Sequence, residues 1–260
     1  MVRFLTYCLV LLLISCKGVN VDDLAETELA VYALIIANEP VKDVRVNYLT
    51  TLNGSKTGEP IRDARVFISA QGAEVELSPD PATPGAYYDE AAALAVLPNT
   101  TVSIRVEYKT KRATASTIVP LETDIVSVSA STIPVDDTSL GQPVFSVLWT
   151  QQPGYTHVLT LDEPTNGTVI PYTVPSGLFS AQYRLPVPGQ GATLYDVDFT
   201  YYGLHTLSII TIDADYDALF FSAFDALDQR VNTGFDNIEG GSGFFGAATK
   251  SIVEIEIIEI

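Results

Sequence analysis

The sequence contains almost no cysteine, and its two cysteines lie close together near the start. Cys8 and Cys16 are the only thiols among 260 residues. Both lie in or at the end of an apolar N-terminal segment, so cleavage before Cys16 would leave one thiol in the exported chain. A single thiol excludes an internal disulfide and a cysteine-rich metal site. We therefore expect an ordinary hydrophobic core to stabilise the protein.

Basic residues are also scarce. The chain has 14 lysines and arginines against 32 acidic residues, which gives a formal net charge of −18. Such a surface repels phosphate backbones, so the composition argues against nucleic-acid binding. It also disfavours flat adsorption on anionic lipid. A cationic ligand or a divalent metal would be attracted, but acidity that serves solubility is the simpler interpretation.

Histidine is nearly absent as well, which restricts the possible catalytic sites. Only His157 and His205 occur, and both fall in segments that alternate like strands. The sequence contains neither a G-x-S-x-G nucleophile elbow nor an H-E-x-x-H zinc motif. We expect both histidines to be packed strand residues. A hydrolase would need a cleft in which one of them lies within hydrogen-bonding distance of a carboxylate.

The N-terminal segment, residues 1–16, predicts export of the protein. Arg3 precedes an apolar run over residues 9–14, and the run is followed by a small residue and Cys16. This order is typical of a secretory signal, and the run is too short for a transmembrane helix. Leu-Ile-Ser-Cys resembles the lipobox of bacterial lipoproteins, which implies lipidation of Cys16. Cleavage without lipid is the weaker alternative.

The rest of the chain is typical of a mainly β protein with two domains. Residues 1–15 form the predicted signal peptide and residues 16–27 a flexible tether. Seven short alternating segments over residues 28–122, separated by regular turns, predict an immunoglobulin-like β-sandwich. Residues 123–260 predict a second antiparallel β domain. It carries one short helix over residues 214–228, where apolar side chains recur at helical spacing after an acidic first turn.

Two motifs in the second domain suggest ligands but fail on their spacing. The D-x-D-x-D spacing of Asp213, Asp215 and Asp217 matches the first positions of an EF-hand calcium-binding loop. The match then fails, because Ala218 and Phe224 occupy the positions where an EF-hand needs glycine and glutamate. The three aspartates remain weak metal candidates, and helix capping is the favoured interpretation. Residues 241–246 spell G-x-G-x-x-G, but a dinucleotide site needs a helix next and an acidic residue about 20 positions on, whereas strand-like sequence follows here and ends fourteen residues later. We expect no cofactor.

Aromatic residues offer a further candidate surface. Tyr195, Phe199, Tyr201 and Tyr202 could stack on a sugar or a peptide. The alternation of the segment favours a simpler interpretation, in which many of these rings face a core.

One stretch near the C-terminus carries a family resemblance. Residues 236–247, DNIEGGSGFFGA, are similar to the N-I-x-G-G-x-G-I-F-G motif of a Bacteroidota-type lipoprotein family, domain of unknown function 4249. Other features follow in the order usual for that family. They are residues 60–68 (P-V-x-G-A-x-V, with Asp63 in place of glycine), residues 84–87 (P-G-x-Y), residues 113–120 (A-x-T-x-V-P) and Tyr216. The glycines predict tight turns and close packing of Phe244 and Phe245 against a sheet.

The resemblance implies an outer-membrane lipoprotein that works beside a TonB-dependent receptor, and it supplies no catalytic residues. Lys17, directly after Cys16, is compatible with delivery to the outer membrane. We therefore expect a lipid-anchored, non-enzymatic accessory or ligand-capture protein, facing the periplasm or the cell surface. A structural or adhesive surface protein and a hydrolase with its site in the second domain are the alternatives.

Overall fold

A computed structural model of the chain describes residues 26–52, 55–135, 141–171, 185–187, 189–213 and 236–260. Within these ranges the protein is mainly β, and the helical structure is a single 3-10 turn at Asp196–Asp198. None of the helical structure in these ranges is long and apolar enough to cross a membrane. The strands are, in chain order, β1 (Glu26–Ile36), β2 (Val44–Leu52), β3 (Ser55–Pro60), β4 (Arg65–Ala70), β5 (Ala73–Glu76), β6 (Ser78–Pro79), β7 (Ala86–Tyr88), β8 (Thr101–Tyr108), β9 (Lys111–Ile118), β10 (Ile125–Val128), β11 (Thr132–Val135), β12 (Pro143–Trp149), β13 (Tyr155–Asp162), β14 (Thr168–Val169), β15 (Leu185–Val187), β16 (Gly191–Tyr195), β17 (Tyr201–Asp213) and β18 (Ser242–Glu259).

These strands form three sheets. Sheet A has eleven strands in the order β15-β13-β17-β18-β1-β2-β7-β6, with β11 beside β18, β14 beside β17 and β3 beside β2. Sheet B has the order β5-β4-β8-β9, and sheet C has the order β10-β12-β16. Sheets B and C are antiparallel throughout, whereas sheet A contains parallel pairs between β1 and β18 and between β11 and β18.

Strand β18 connects the two halves of the chain. Its first half, from Ser242 to Ala248, pairs in parallel with β1, which opens the fold. Its second half pairs with β17 from Ala248 to Ile257, and its last residues pair with β11. Strands from both predicted domains therefore share one sheet.

One face of sheet A carries two hydrophobic clusters. Sheet B covers the first cluster, which contains Val31 of β1, Ile104 of β8 and Phe245 of β18. Sheet C covers the second cluster, which contains Trp149 of β12 and Ile255 of β18. Phe245 and Ile255 lie ten positions apart, an even offset along the strand, so their side chains leave the same face. The described part of the protein thus consists of two β-sandwiches side by side. Sheet A is one layer of both, and sheets B and C are the second layers.

The glycines at the start of β18 allow it to enter this arrangement. Gly243 has φ +116°, and a Cβ atom there would lie 2.2 Å from the Val31 carbonyl oxygen of β1. Gly240 has φ +78°, and a Cβ atom there would lie 2.3 Å from the Arg112 carbonyl oxygen of β9. The G-x-G-x-x-G stretch therefore forms the start of β18 within sheet A and lies close to the backbone of β1 and to sheet B, which agrees with the expected close packing against a sheet.

The structure corrects one predicted element and leaves two others as predictions. The alternating segment over residues 195–201 is not one strand, because Asp196 is buried and turns the chain. Its Oδ1 accepts N–H bonds from Gly141, Gln142 and Val197. The helix predicted over residues 214–228 lies outside the described residues. The domain boundary at residue 122 stays a prediction.

Replacing Gly243 with alanine tests the close approach of β18 to β1. We expect Gly243→Ala to lower the free energy of unfolding by about 3 kcal/mol or more, because the methyl group meets a backbone carbonyl that cannot move independently. Gly154→Ala is the matched control, since Gly154 has φ +83° but no atom within 4 Å of the added Cβ. The control should cost only about 1 kcal/mol. Equal losses in urea denaturation would contradict the steric explanation.

Candidate functional site

A band of buried and half-buried polar groups separates the two hydrophobic clusters on sheet A. The polar band consists of Thr123, Gln152, His157, Thr211, Thr249 and Ser251. Thr249 and Ser251 lie on β18 between Ala247 of the first cluster and Ile255 of the second. Across the sheet, His157 of β13 is paired with Thr211 of β17. The band is the largest connected set of polar side chains near a histidine in the described ranges, so it is the first candidate for a functional site.

The polar band holds the segment that passes from sheet B to sheet C. The Thr249 hydroxyl donates to the Leu121 carbonyl oxygen at 3.0 Å, and the Ser251 hydroxyl donates to the Thr123 carbonyl oxygen at 2.6 Å. The Gln152 amide donates to the Leu121 carbonyl at 2.9 Å. Each of these bonds satisfies a backbone group of the crossing segment. Their geometry explains the band as a structural clamp.

His157 lies at the buried end of this clamp. Its Nδ1 is 3.2 Å from the Thr211 hydroxyl, which is in turn 2.7 Å from the Thr123 hydroxyl. The ring meets Trp149 edge-on, with 5.5 Å between centroids. Its Nε2 is buried and has no hydrogen-bond partner in the part of the chain that the structure describes. Burial lowers the pKa of His157, so the ring is neutral near pH 7.

His205 has a similar environment in the second cluster. Its Nδ1 is 3.0 Å from the Gly203 carbonyl oxygen, and its ring meets Phe199 edge-on at 5.3 Å. Burial lowers its pKa, and this effect outweighs the opposing influences of the Gly203 carbonyl and of Glu163. Among the described residues, neither histidine is hydrogen-bonded to a carboxylate. This geometry gives the hydrolase alternative no support.

Two hydroxyl groups on the opposite face of sheet A are buried without a partner among the described residues. They belong to Tyr32 of β1 and Ser242 of β18. Tyr32 is paired with Phe244, and these two side chains pack together. Burial, with contributions from Asp236 and Glu28, raises the pKa of Tyr32 to about 12. The Tyr32 hydroxyl therefore stays protonated at neutral pH.

Tyr87 shows the opposite arrangement and joins two of the motifs that carry the family resemblance. Its hydroxyl donates to the Ile61 carbonyl oxygen and accepts the Ala64 N–H, both at 2.9 Å. Ile61 and Ala64 belong to the P-V-x-G-A-x-V-like segment, and Tyr87 ends the P-G-x-Y-like segment. The side chain is fully buried. These motifs thus position backbone, and sequence reasoning missed the contact because Tyr87 lies more than twenty positions along the chain from Ile61 and Ala64.

The C-terminal motif makes a comparable clamp. The Asn237 side chain donates from Nδ2 to the Phe245 carbonyl oxygen at 2.7 Å and accepts the Phe245 N–H at 2.9 Å. Glu239 exchanges two backbone hydrogen bonds with Thr114 of β9. Thr114 belongs to the A-x-T-x-V-P-like segment. The motif therefore binds β18 to sheet B and brings no titratable pair together.

A depression of about 460 Å³ opens at one end of sheet B. It lies beside the turn at Gln71 and Gly72 and is lined by the hydroxyl-bearing residues Ser69, Thr100, Thr101 and Ser103. Its polar groups are neutral, so it could accept hydrogen bonds from a small ligand but offers no nucleophile with a base beside it.

The candidate metal and lipid sites lie at the limits of the described residues. Asp213 is the last residue of β17, whereas Asp215, Asp217 and Cys16 lie outside the described residues. No group of three or more histidine, cysteine, aspartate or glutamate residues that could hold a metal ion occurs in the described part. Both the calcium site and the lipidation site stay predictions.

The aromatic candidates divide between core and surface. Phe199 is fully buried in the second cluster, which confirms that at least one ring of this group faces the core. Tyr201 and Tyr202 are half-buried, and Tyr195 on sheet C is 43 % exposed. The four rings therefore do not form a stacking platform together.

The buried histidines predict that acid destabilises the protein. A histidine whose pKa is lower in the folded state contributes stability above its unfolded pKa of about 6.5, and this stability is lost as the pH falls below that value. We expect the free energy of unfolding to fall between pH 7 and 5.5, by up to about 1.4 kcal/mol per pH unit for each histidine. His157→Gln should show a smaller fall over the same interval. An unchanged pH dependence in that variant would contradict a buried, neutral His157.

Paired tyrosine variants test the contrast between a satisfied and an unsatisfied hydroxyl. Tyr87→Phe should lower the free energy of unfolding by about 1–3 kcal/mol, because it leaves the Ile61 carbonyl and the Ala64 N–H without their partner. Tyr32→Phe should be neutral or stabilising, because it removes a buried hydroxyl that has no partner among the residues that the structure describes. Both are measured by urea denaturation at pH 7. A larger loss in Tyr32→Phe than in Tyr87→Phe would show that the Tyr32 hydroxyl is bonded in solution.

Comparison with known proteins agrees with the resemblance carried by the motifs. Residues 18–185 match the model of a protein family described as domain of unknown function (DUF4249). This stretch includes the Tyr87 clamp, whereas the glycine motif of β18 lies beyond it. No curated protein matches the chain. Because the match covers more than half of the sequence, the chain belongs to the DUF4249 family.

Proposed function

We propose that this protein is an exported lipoprotein, anchored through lipid on Cys16 in the outer membrane. We further propose that it is a non-enzymatic accessory or ligand-capture module that works with a TonB-dependent receptor. The observation that carries the proposal is the Leu-Ile-Ser-Cys segment at residues 13–16, followed by a polar stretch before β1. Nine residues separate Cys16 from Glu26, and their full extension is about 30 Å. The β fold would therefore stay close to the membrane surface.

The environments of the histidines support a non-enzymatic role. Both rings are buried and neutral, and their contacts are with hydroxyl, carbonyl and aromatic groups. The segments that carry the family resemblance form backbone clamps around Tyr87 and Asn237. A fold stabilised in this way can present surfaces to a partner without presenting a reactive group.

The two-layer arrangement of residues 28–122 is compatible with an immunoglobulin-like sandwich. Sheet B and the β1–β2 part of sheet A enclose the first cluster, as two facing sheets do in that fold. The parallel pairing of β1 with β18 adds a strand from outside this range. We propose the likeness for the architecture of this half only.

An experiment on the anchor and the partner tests the proposal. We expect the full chain to fractionate with the outer membrane and its mature N-terminal peptide to carry acyl chains on Cys16, as measured by mass spectrometry. Cys16→Ala should abolish both results. Cys8→Ala is the matched control, because Cys8 lies inside the predicted signal and its loss should leave the anchor intact. An unmodified Cys16 in the wild-type chain would contradict the anchor.

The partner is tested on the same membranes. A tagged wild-type chain, isolated from detergent-solubilised outer membranes, should bring down a TonB-dependent receptor in comparable amount. Recovery of the acylated chain without any receptor would contradict the accessory role while leaving the anchor intact. A chain that instead promotes cell–cell attachment would favour the structural or adhesive alternative.

A further inference from the structure

Four side chains of the polar band form one continuous hydrogen-bond chain that ends at His157. The Gln152 Nε2 lies 3.2 Å from the Thr123 hydroxyl oxygen, which is 2.7 Å from the Thr211 hydroxyl oxygen. The Thr211 oxygen is in turn 3.2 Å from His157 Nδ1. Thr123, Thr211 and His157 are each at most 2 % exposed. Water therefore does not compete for these bonds, and the chain has to satisfy its own donors and acceptors.

Gln152 fixes the direction of this chain. Its Nε2 also lies 2.9 Å from the Leu121 carbonyl oxygen, which can only accept, so Nε2 is the amide nitrogen and donates to the Thr123 oxygen. If Thr211 also donated to Thr123, the Thr123 proton would have no acceptor among the described residues. If Thr123 donates to Thr211, the Thr211 proton goes to His157 Nδ1, and every hydroxyl proton in the chain has an acceptor. Nδ1 is therefore an acceptor, and Nε2 carries the proton of the neutral ring.

His205 has the opposite tautomer. Its Nδ1 is 3.0 Å from the Gly203 carbonyl oxygen, which can only accept, so Nδ1 donates and Nε2 carries the lone pair. Both rings are buried, and burial lowers the pKa of each. The His205 hydrogen bond stays within β17, whereas that of His157 leads to the segment between sheets B and C. The two histidines thus share burial but differ in what they are connected to.

We propose that this chain is a latch on the crossing segment, residues 119–124, which joins sheet B to sheet C, and that protonation of His157 opens the latch. A proton taken from solvent adds to Nδ1 and places an N–H opposite the Thr211 hydroxyl, which has to turn and donate to Thr123 instead. The Thr123 proton is then left without an acceptor inside the polar band. It is satisfied only if the crossing segment moves and admits water. This inference does not depend on the membrane anchor.

Thr123 is the point at which the latch meets the other bonds of the crossing segment. Its carbonyl oxygen accepts the Ser251 hydroxyl at 2.6 Å, and the carbonyl oxygen of the next residue, Asp124, accepts the Thr150 N–H at 2.9 Å. Movement of Thr123 lengthens both bonds. Because Thr150 directly follows β12, its N–H reports whether the crossing segment is held against sheet C.

Burial, and not a neighbouring charge, controls the response of His157. Strands β12 and β15 contain no titratable residue. The titratable residues on the other described elements around the ring are Tyr155 and Asp162 of β13, His205 and Asp213 of β17, and Glu122 and Asp124 of the crossing segment. The pKa of His157 is lowered by burial alone. The ring regains an ordinary pKa of about 6.5 when the latch opens, so opening is favoured as the pH falls below that value.

NMR spectroscopy of the full chain, labelled with nitrogen-15, tests the direction of the hydrogen-bond chain. Long-range proton–nitrogen correlations of the imidazole rings are measured at pH 7.5. We expect the proton on Nε2 in His157 and on Nδ1 in His205. The same tautomer in both rings would contradict the assigned direction.

Amide hydrogen exchange of Thr150 tests the latch at pH 7.0 and 5.5. We expect its protection factor, corrected for intrinsic exchange, to fall by up to about eightfold, which is the limit for one group with a pKa of 6.5 in the open state. His157→Gln should lose this fall. Thr211→Val should lose it as well, because it interrupts the chain while keeping the shape of the side chain. His205→Gln is the matched control and should keep it.

Three results would overturn the proposal. A fall below about twofold in the wild-type chain would show that the crossing segment does not respond to His157. An equal reduction of the fall in His157→Gln and His205→Gln would show that Thr150 exchanges only through global unfolding. Exchange of Thr150 as slow as that of β8, which is paired on both sides, would show the same. Circular dichroism checks that each variant is folded, and Thr211→Val carries the test if His157→Gln is not.

Discussion

The parallel pairing of β18 with β1 is the contact on which the rest of the structure depends. Without it, sheet A would divide between β1 and β18, and the first hydrophobic cluster would lose Phe245 and Ala247 from its wall. The pairing requires the β18 backbone to lie against the Val31 carbonyl, which only a residue without a side chain permits at position 243. A local constraint at one glycine therefore controls contacts between residues more than two hundred positions apart.

The family motifs illustrate why a recognisable sequence need not mark a reactive site. Tyr87 binds the backbone of residues 61 and 64, and Asn237 binds the backbone of Phe245. In each case a side chain satisfies backbone groups that no strand partner reaches. Membership of the DUF4249 family thus indicates shared architecture, while any activity has to be sought on the surfaces that the clamps leave free.

Local alternation predicted most strands, because burial on one face imposes a period of two. Alternation over residues 101–108 predicts a strand with the bounds of β8, and alternation over residues 28–35 and 144–150 predicts β1 and β12 to within two residues. It failed at Asp196, where a buried carboxylate that accepts backbone N–H groups interrupts the alternation. The polar band was equally invisible, since its hydrogen bonds join residues that only sheet pairing brings together. The sequence around each histidine likewise did not predict its hydrogen-bond partner, which is the Thr211 hydroxyl for His157 and the Gly203 carbonyl for His205.

Sheets B and C differ in the charge on their strands, and this difference determines which apolar side chains are covered within the chain itself. Sheet B neutralises its arginines with glutamates and covers Phe67 in doing so, so that its outer face is complete without a partner. The strands of sheet C contain no charged residue, and their side chains Val126, Leu148 and Tyr195 are exposed to solvent. Since burying apolar area is worth about 25 cal/mol per Å², this exposure leaves binding energy unused in the isolated chain.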